Sequence, residues 1–206
     1  MVLRRPHARG GTGAGTQIHL EFDADALDTD RAEAAWNDVV AATDMLRARL
    51  LPDGTQAVLR EVPHYAVVRA DLTEATPAEA EAGLDRLRRE ALGGFDPHRW
   101  PLFAVRVAHL PGGRARVLFT VDELIADGPS VSLLLQQWYA AYAHGTAPRP
   151  PGITFREYAA ATATAEVPEA SWRTGGSNWP VSTWSARCRS RPQPRPPART
   201  RPPTGG

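Results

Sequence analysis

The chain has 206 residues, of which 24 are arginine, none is lysine and 23 are acidic, and its formal net charge is +1. This length is sufficient for one domain with a hydrophobic core, and the single cysteine, Cys188, excludes an internal disulfide framework and a cysteine-based metal site. No apolar run approaches the roughly 20 residues that cross a bilayer, and no apolar stretch follows the charged N-terminus, so we expect a cytoplasmic protein without a signal peptide.

The N-terminal residues 1–16 are rich in arginine and glycine, which predicts a flexible segment. Its glycines do not follow a strand, so a phosphate-binding loop is not expected there. The alternation of residues 17–22 then predicts a half-buried strand. Its aliphatic and aromatic side chains face the core in this interpretation, and His19 lies on the solvated face.

Two helices with short strands between them are predicted next. Asp28 to Asp30 can cap a helix that ends near Ala42, and Thr76-Pro77 begins a second helix that ends at Gly93-Gly94. Turn residues and β-forming runs between these helices predict a strand ending at Leu51, a turn over residues 52–55, a strand over 56–59 and a short strand over 65–68.

A hairpin is the strongest β signal in the chain, with strands from Phe103 to Leu110 and from Arg114 to Val121 around a Pro-Gly-Gly turn. Apolar residues then recur at helical spacing from Val131 to Tyr142, and a last helix is predicted from Thr154 to about Ala165. Three tryptophans fall at expected core positions, namely Trp36, Trp100 and Trp138. The order of elements predicts an α+β domain, a sheet with flanking helices, over residues 17–165.

The end of the chain has a different composition. Residues 171–206 contain seven arginines and no acidic residue, so the 170 residues before them carry 17 arginines against 23 acidic side chains, a net charge of −6. A basic tail on an acidic body is one pattern of a nucleic-acid-binding arm. Seven prolines between Pro180 and Pro203 and the lack of periodicity instead favour a disordered Arg/Pro-rich tail over residues 166–206, and argue against nucleic acid as a partner.

Polar side chains are concentrated where the predicted hairpin passes into the next helix. Asp122 and Asp127 lie five residues apart on this connection, and Ser130 follows them. A loop fixed at one end by a strand and at the other by a helix presents polar groups from a rigid scaffold. We therefore take this connection as the candidate site.

Four groups of residues resemble a known family, and they occur in the family's order. Gly11–Gly15 with Leu20–Asp23, Asp44–Ala48 with Asp53–Gln56, and Phe95–Pro97 with Trp100–Phe103 are similar to three successive segments of that family. Asp122, Asp127 and Ser130 resemble its D-x4-D-x2-S signature. On these motifs, residues 4–160 resemble the N-terminal half of a condensation domain of nonribosomal peptide synthetases, of the heterocyclization subtype.

The resemblance implies a fold similar to chloramphenicol acetyltransferase, in which two such halves enclose a tunnel. It implies carrier domains as partners, substrates held on their phosphopantetheine thioesters, no cofactor bound directly by the domain, and no metal. The implied reaction joins an acyl group to the amine of a cysteinyl, seryl or threonyl thioester and then closes the side chain onto the new amide with loss of water. Asp122, Asp127 and Ser130 are the catalytic positions that it assigns.

Each assigned residue has a specific chemical role to test. Asp122 can accept a hydrogen bond or a proton from the attacking amine. Asp127 and Ser130 can instead serve as capping groups at the helix start, where backbone N–H groups lack partners. Glu123 departs from the subtype, which more often has a small or apolar residue at this position.

Parts of the family pattern are not present in this sequence. The opening helix before Arg4 and the whole second half of the domain are missing, and residues from about Ser171 do not resemble the family. A frameshift near residues 165–172 is our hypothesis for the abrupt change. We therefore expect a fragment that is inactive without the missing C-terminal half, and the alternatives are a non-catalytic remnant or an interaction module with a basic tail.

Overall fold

A computed structural model describes residues 4–8 and 17–163. The chain divides after Ala160, and the description concerns the first unit, residues 1–160, together with the end of its last helix. The strands are β1 (Arg4–Ala8), β2 (Gln17–Asp25), β3 (Ala48–Leu50), β4 (Gln56–Val58), β5 (Val68–Asp71), β6 (Phe103–Leu110) and β7 (Arg114–Asp122). The helices are α1 (Thr29–Ala42), α2 (Pro77–Ala91), α3 (Gly128–His144) and α4 (Phe155–Ala163), and a short 3₁₀ turn covers Met45–Arg47.

Five strands form one mixed sheet in the order β1-β2-β7-β6-β5, and β7 is its centre. The pair β5–β6 is parallel, and the other neighbours are antiparallel. The predicted hairpin is confirmed, because Phe103 pairs with Val121 and Leu110 pairs with Arg114. Strands β3 and β4 form a separate two-stranded sheet around the predicted turn, where Gly54 adopts a φ of 84° that suits glycine.

Each long helix begins at the cap that the sequence predicts. Asp28 accepts the Arg31 N–H at the start of α1. Thr76 and Glu79 form a reciprocal capping box at the start of α2, in which each side chain accepts the other's backbone N–H. Helix α3 ends at Gly145, whose φ of 63° lies in the left-handed region. In the described part of the chain, no helix has both the length and the apolar character that crossing a bilayer requires.

One face of the large sheet packs against α1 and α3 through aromatic rings. Trp36 of α1 is fully buried, and its ring lies edge-on to the rings of Phe103, Phe119 and Trp138, at centroid distances of 5.3, 5.4 and 5.2 Å. The Trp138 indole N–H donates to the Ala32 carbonyl at 2.8 Å, which connects α3 to α1. These contacts confirm the core positions expected for Trp36 and Trp138, and Trp100 packs partly buried at the cluster's edge.

The other face of the sheet is covered by α2, and this corrects the expectation for His19. His19 is buried, with Nδ1 2.8 Å from the Thr120 hydroxyl and Nε2 3.3 Å from the Glu21 carboxylate. The period-two pattern identified only one apolar face of β2, and α2 removes the polar face from water as well. Both faces of this strand are therefore covered.

Two further expectations differ from the structure. Arg4–Ala8 form strand β1 on β2, although residues 1–16 were expected to be flexible, because an edge strand without alternation gains its backbone hydrogen bonds from its neighbour. The short strand expected over residues 65–68 begins at Val68, and Tyr65 instead lies buried, with its hydroxyl accepting the Val105 N–H at 2.7 Å. Residues 9–16 and the tail expected from residue 166 lie outside the described residues.

Candidate functional site

The predicted site loop leaves the sheet at the end of its central strand. Asp122 is the last residue of β7, where it pairs with Gln17 of β2 and donates its N–H to the Leu102 carbonyl at 2.9 Å. Neighbouring chain segments on both sides therefore hold this residue.

The Asp122 side chain stabilises the turn that follows it. Its carboxylate accepts the Leu124 N–H at 2.9 Å, and its carbonyl accepts the Ile125 N–H at 3.1 Å. Only 6% of the residue is exposed. Asp122 is thus a buried carboxylate that shapes the loop from beneath.

Asp127 and Ser130 form a pair at the start of α3. The Asp127 carboxylate accepts both the backbone N–H and the hydroxyl of Ser130, and its carbonyl accepts the Val131 N–H. The hydrogen bond from the Ser130 hydroxyl, followed by that from the Ser130 backbone, lowers the pKa of Asp127 below its ordinary value. The carboxylate is therefore ionised at neutral pH and acts as the N-cap of α3.

A groove of about 590 Å³ opens beside this pair. Asp127 and Ser130 line it, whereas Asp122 does not. Its walls come from four segments, namely residues 43–46 after α1, residues 123–127 of the loop, one side of α3, and residues 149–158 at the start of α4. The structure thus brings two of the three predicted residues to one surface and places the third below it.

The groove has an apolar rim and a buried floor. We define the rim as its exposed large apolar side chains, which are Leu124, Leu133, Ile153, Phe155 and Tyr158. We define the floor as its buried apolar lining, Leu46, Ile125, Ala126 and Leu134, together with the half-buried Gln137. Most of the exposed large hydrophobic side chains of the described chain lie on this rim, which marks it as a surface for a ligand or a partner.

Hydrogen bonds of Asp44 and Gln56 hold the walls of the groove in place. The Asp44 carboxylate accepts the Met45 N–H at 2.8 Å and the Phe155 N–H at 3.2 Å, so that it holds the start of α4 against the turn after α1. The Gln56 amide donates to the Leu124 carbonyl at 2.7 Å and fixes the loop from the small sheet. Asp44 was noted in the sequence only as part of a motif, and its role as a clamp depends on tertiary contacts.

Carboxylates outnumber cations along the groove. Asp44, Glu123 and Asp127 line it together with one guanidinium group, that of Arg149. This balance favours a ligand that carries a protonated amine over one that carries a phosphate. Across the described residues, no three His, Cys, Asp or Glu side chains are arranged to hold a metal ion.

The comparisons with known proteins all point to the same family. The family model described as the Condensation domain matches residues 15–171. The chain is 31% identical over 202 residues to the phenyloxazoline synthase MbtB of Mycobacterium tuberculosis, which covers 94% of this chain and 13% of that protein. It is 35% identical over 165 residues to the pyochelin synthetase PchF of Pseudomonas aeruginosa, which covers 76% of this chain and 9% of that protein.

Solved structures agree with this result. The cyclization-docking bidomain of the nonribosomal peptide synthetase EpoB from Sorangium cellulosum matches with a TM-score of 0.69 and 29% identity, over 81% of this chain and 35% of that one. The expected α+β fold of a condensation domain is confirmed. The family match covers residues 15–171, whereas we expected a resemblance over residues 4–160 and none from about Ser171. The MbtB alignment extends past residue 171. The frameshift hypothesis stays a prediction.

Proposed function

The chain belongs to the condensation-domain family, and on this premise we propose that it forms one wall of a heterocyclization site. The proposed reaction joins a carrier-bound acyl group to a carrier-bound cysteine, serine or threonine and then forms a five-membered ring with loss of water. The observation that carries the proposal is the Asp127–Ser130 pair, which opens onto a large groove at the end of the central strand. The chain spans only a small part of its relatives, so the complete activity is a proposal.

The chemistry assigns different tasks to the three predicted residues. In the first step the amine nitrogen attacks the thioester carbonyl carbon, the C–S bond breaks, and the amine gives up a proton as the thiol leaves. Asp127 has a lowered pKa and is a weak base, so we propose that it attracts and orients the amine. Ser130 fixes that carboxylate through its hydroxyl, and Asp122 positions the loop from below.

The proposed partners are carrier domains and the second half of a condensation domain. Carrier domains supply both substrates on phosphopantetheine, and no cofactor of the domain's own is needed for the reaction as written. The apolar rim is the surface that a second half would cover, because exposed apolar side chains of this size lose contact with water when a partner binds. A cytoplasmic location stays a prediction.

The test is a condensation assay with purified components. The full chain is mixed with two carrier proteins, one loaded with an acyl group and the other with cysteine, serine or threonine, in the presence or absence of a separately produced second half. Intact mass spectrometry of the acceptor carrier reports acyl transfer and then the loss of one water. We expect product only when the second half is present.

Two other outcomes have definite meanings in this assay. If carriers bind but no product forms in either arm, the chain is a non-catalytic remnant or interaction module and the proposal is wrong. Product from the chain alone would overturn the requirement for a second half.

Variants of Asp127 separate its capping role from its role toward substrate. Asn caps a helix about as well as Asp but carries no charge, so Asp127→Asn should keep the melting temperature and lower the condensation rate about tenfold, which corresponds to roughly 1.4 kcal/mol. Asp127→Ala should lower both the rate and the melting temperature. Asp53→Asn, in an exposed turn away from the groove, is the matched control and should change neither. An unchanged rate for Asp127→Asn would remove Asp127 from the chemistry.

A further inference from the structure

The lining of the groove includes two oppositely charged side chains that have no ionic partner. Glu123 and Arg149 belong to different walls, and both residues are exposed. Within the part of the chain that the structure describes, neither side chain takes part in an ion pair or a hydrogen bond. The other two carboxylates of the groove, those of Asp44 and Asp127, already accept backbone N–H groups. Glu123 and Arg149 are therefore the charges that remain available to a partner.

The backbone on both sides of Glu123 is held in place. The preceding residue, Asp122, is the last residue of β7, and its carboxylate accepts the Leu124 N–H at 2.9 Å. The Leu124 carbonyl in turn accepts a hydrogen bond from the Gln56 amide at 2.7 Å. Because these bonds fix the loop before any partner binds, little backbone freedom is lost when the Glu123 carboxylate forms an ion pair.

The rim supplies the apolar area for a contact between two protein molecules. Its five residues are between 40% and 58% exposed. They leave on the order of 500 Å² of surface on one copy, so two rims that face each other bury about 1,000 Å² in total. This area lies at the lower limit for a specific interface, and we therefore expect a weak contact with a dissociation constant on the order of 10 µM.

A second copy of the chain supplies both the apolar surface and the matching charges. In a two-fold symmetric contact the same patch of both copies is used, so each contact between two different residues occurs twice. Since Glu123 and Arg149 lie on different walls of the groove, a two-fold axis through the groove brings Arg149 of one copy to Glu123 of the other. One contact thus pairs four charges and removes both rims from water.

We propose that the chain associates with a second copy of itself through the rim, with two reciprocal Arg149–Glu123 ion pairs across the two-fold axis. The dimer covers the groove onto which the Asp127–Ser130 pair opens, so a ligand reaches that pair only in the monomer. The rim is also the surface proposed for a second half of the domain, and the two partners therefore compete for it. The dimer does not depend on the proposed reaction.

The test is sedimentation velocity of the full chain at concentrations from about 1 to about 200 µM, a range that brackets the expected dissociation constant. The wild-type chain should pass from monomer to dimer over this range. Arg149→Glu and Glu123→Arg each place like charges opposite one another at both contacts, so each should raise the dissociation constant at least about tenfold. An equimolar mixture of these two variants restores opposite charges at both contacts and should associate within about threefold of the wild-type constant.

Arg60→Glu is the matched control, because Arg60 is an exposed arginine that does not line the groove, and this variant should keep the wild-type association. Leu133→Ser is a second, uncharged variant. It shortens a rim side chain of a residue that is 58% exposed, so it should keep the melting temperature and weaken the dimer.

Three results would overturn the proposal. They are a wild-type chain that stays monomeric at every concentration, unchanged association in Arg149→Glu, and a mixture of the two charge variants that stays monomeric. No carrier protein or second half enters this measurement. A failed dimer therefore leaves the proposed reaction standing, and a failed condensation assay leaves the dimer standing.

Discussion

The two faces of the large sheet are covered by helices in different ways. Toward α1 and α3 the contact is aromatic and aliphatic, and Trp36 lies at its centre with three rings around it. The ionic contacts on this side are peripheral, such as Arg69 with Asp30, in which 86% of the aspartate side chain is exposed. The core of this face contains apolar and aromatic side chains and no charged one.

The face toward α2 combines a small apolar patch with a buried ionic network. Leu84 and Leu87 of α2 pack on Leu118 of β7. Beside them, Glu21 accepts hydrogen bonds from Arg88 at 2.8 and 3.0 Å and from Arg116 at 3.1 Å. Charged groups that leave water must find partners, because an unpaired buried charge costs several kcal/mol.

The two faces are therefore expected to respond differently to substitution of a single side chain. The apolar face tolerates loss of one side chain in proportion to the volume removed. The ionic face depends on every member of a network, since removing one partner leaves the others buried without compensation. Strand β7 belongs to both faces and ends at the candidate loop, so either kind of damage also affects the site.

The largest effect is expected from the centre of the aromatic face. Trp36→Ala should lower the free energy of unfolding by about 4 kcal/mol, because it leaves a cavity among Phe103, Phe119 and Trp138. Urea denaturation followed by circular dichroism measures this change. Trp36→Phe is the control and should cost much less, since the Trp36 indole N–H has no hydrogen-bond partner to lose. A loss below about 2 kcal/mol for Trp36→Ala would show that the cluster repacks.

A somewhat smaller effect is expected from the ionic face. Glu21→Gln should lower the free energy of unfolding by about 3 kcal/mol, because it removes the charge that compensates Arg88 and Arg116. Glu81→Gln is the matched control, since Glu81 also contacts Arg88, at 2.7 Å, but from an exposed position. That variant should cost less than about 0.5 kcal/mol in the same urea titration. Equal losses in the two variants would mean that burial does not determine the strength of these pairs.

Much of the apolar face was predictable from the sequence, because periodicity and capping act locally. The hairpin strands alternate around a Pro-Gly-Gly turn, and Asp28, Thr76 and Asp127 stand where helices begin. The ionic face was not predictable in the same way. Arg88 and Glu21 are 67 residues apart, and nothing in the alternation of β2 indicates that a helix covers its polar side.

In the candidate site, too, the local features were predictable from the sequence and the tertiary contacts were not. Asp127 and Ser130 are close in sequence, and their pairing follows from the rules for helix caps. Gln137 shares their side of α3 by helical spacing, yet its unpaired oxygen is evident only in the folded chain. The opposing wall, formed by residues 43–46 and the start of α4, arises from contacts more than a hundred residues apart, such as that between Asp44 and the Phe155 N–H.

The smallest predicted effect is the pH dependence of the stability that Glu21 contributes to the ionic face. Burial alone would raise the pKa of Glu21, but hydrogen bonds from His19, Arg88 and Arg116 outweigh it and hold that pKa far below its ordinary value. A carboxyl group whose pKa is lower in the folded state stabilises the fold above its unfolded pKa of about 4.3, and this contribution is lost as the pH falls toward the folded pKa.

The stability difference between wild type and Glu21→Gln should therefore shrink on acidification. Urea titrations of both proteins from neutral pH downward should show the difference smaller by about 1 kcal/mol at pH 3.5. Groups that titrate identically in the two proteins cancel in this difference, which isolates Glu21. A stability difference that stays constant over this pH range would show that Glu21 contributes by shape and hydrogen bonding and not by its charge. The two faces of the sheet would then differ only in how their side chains pack.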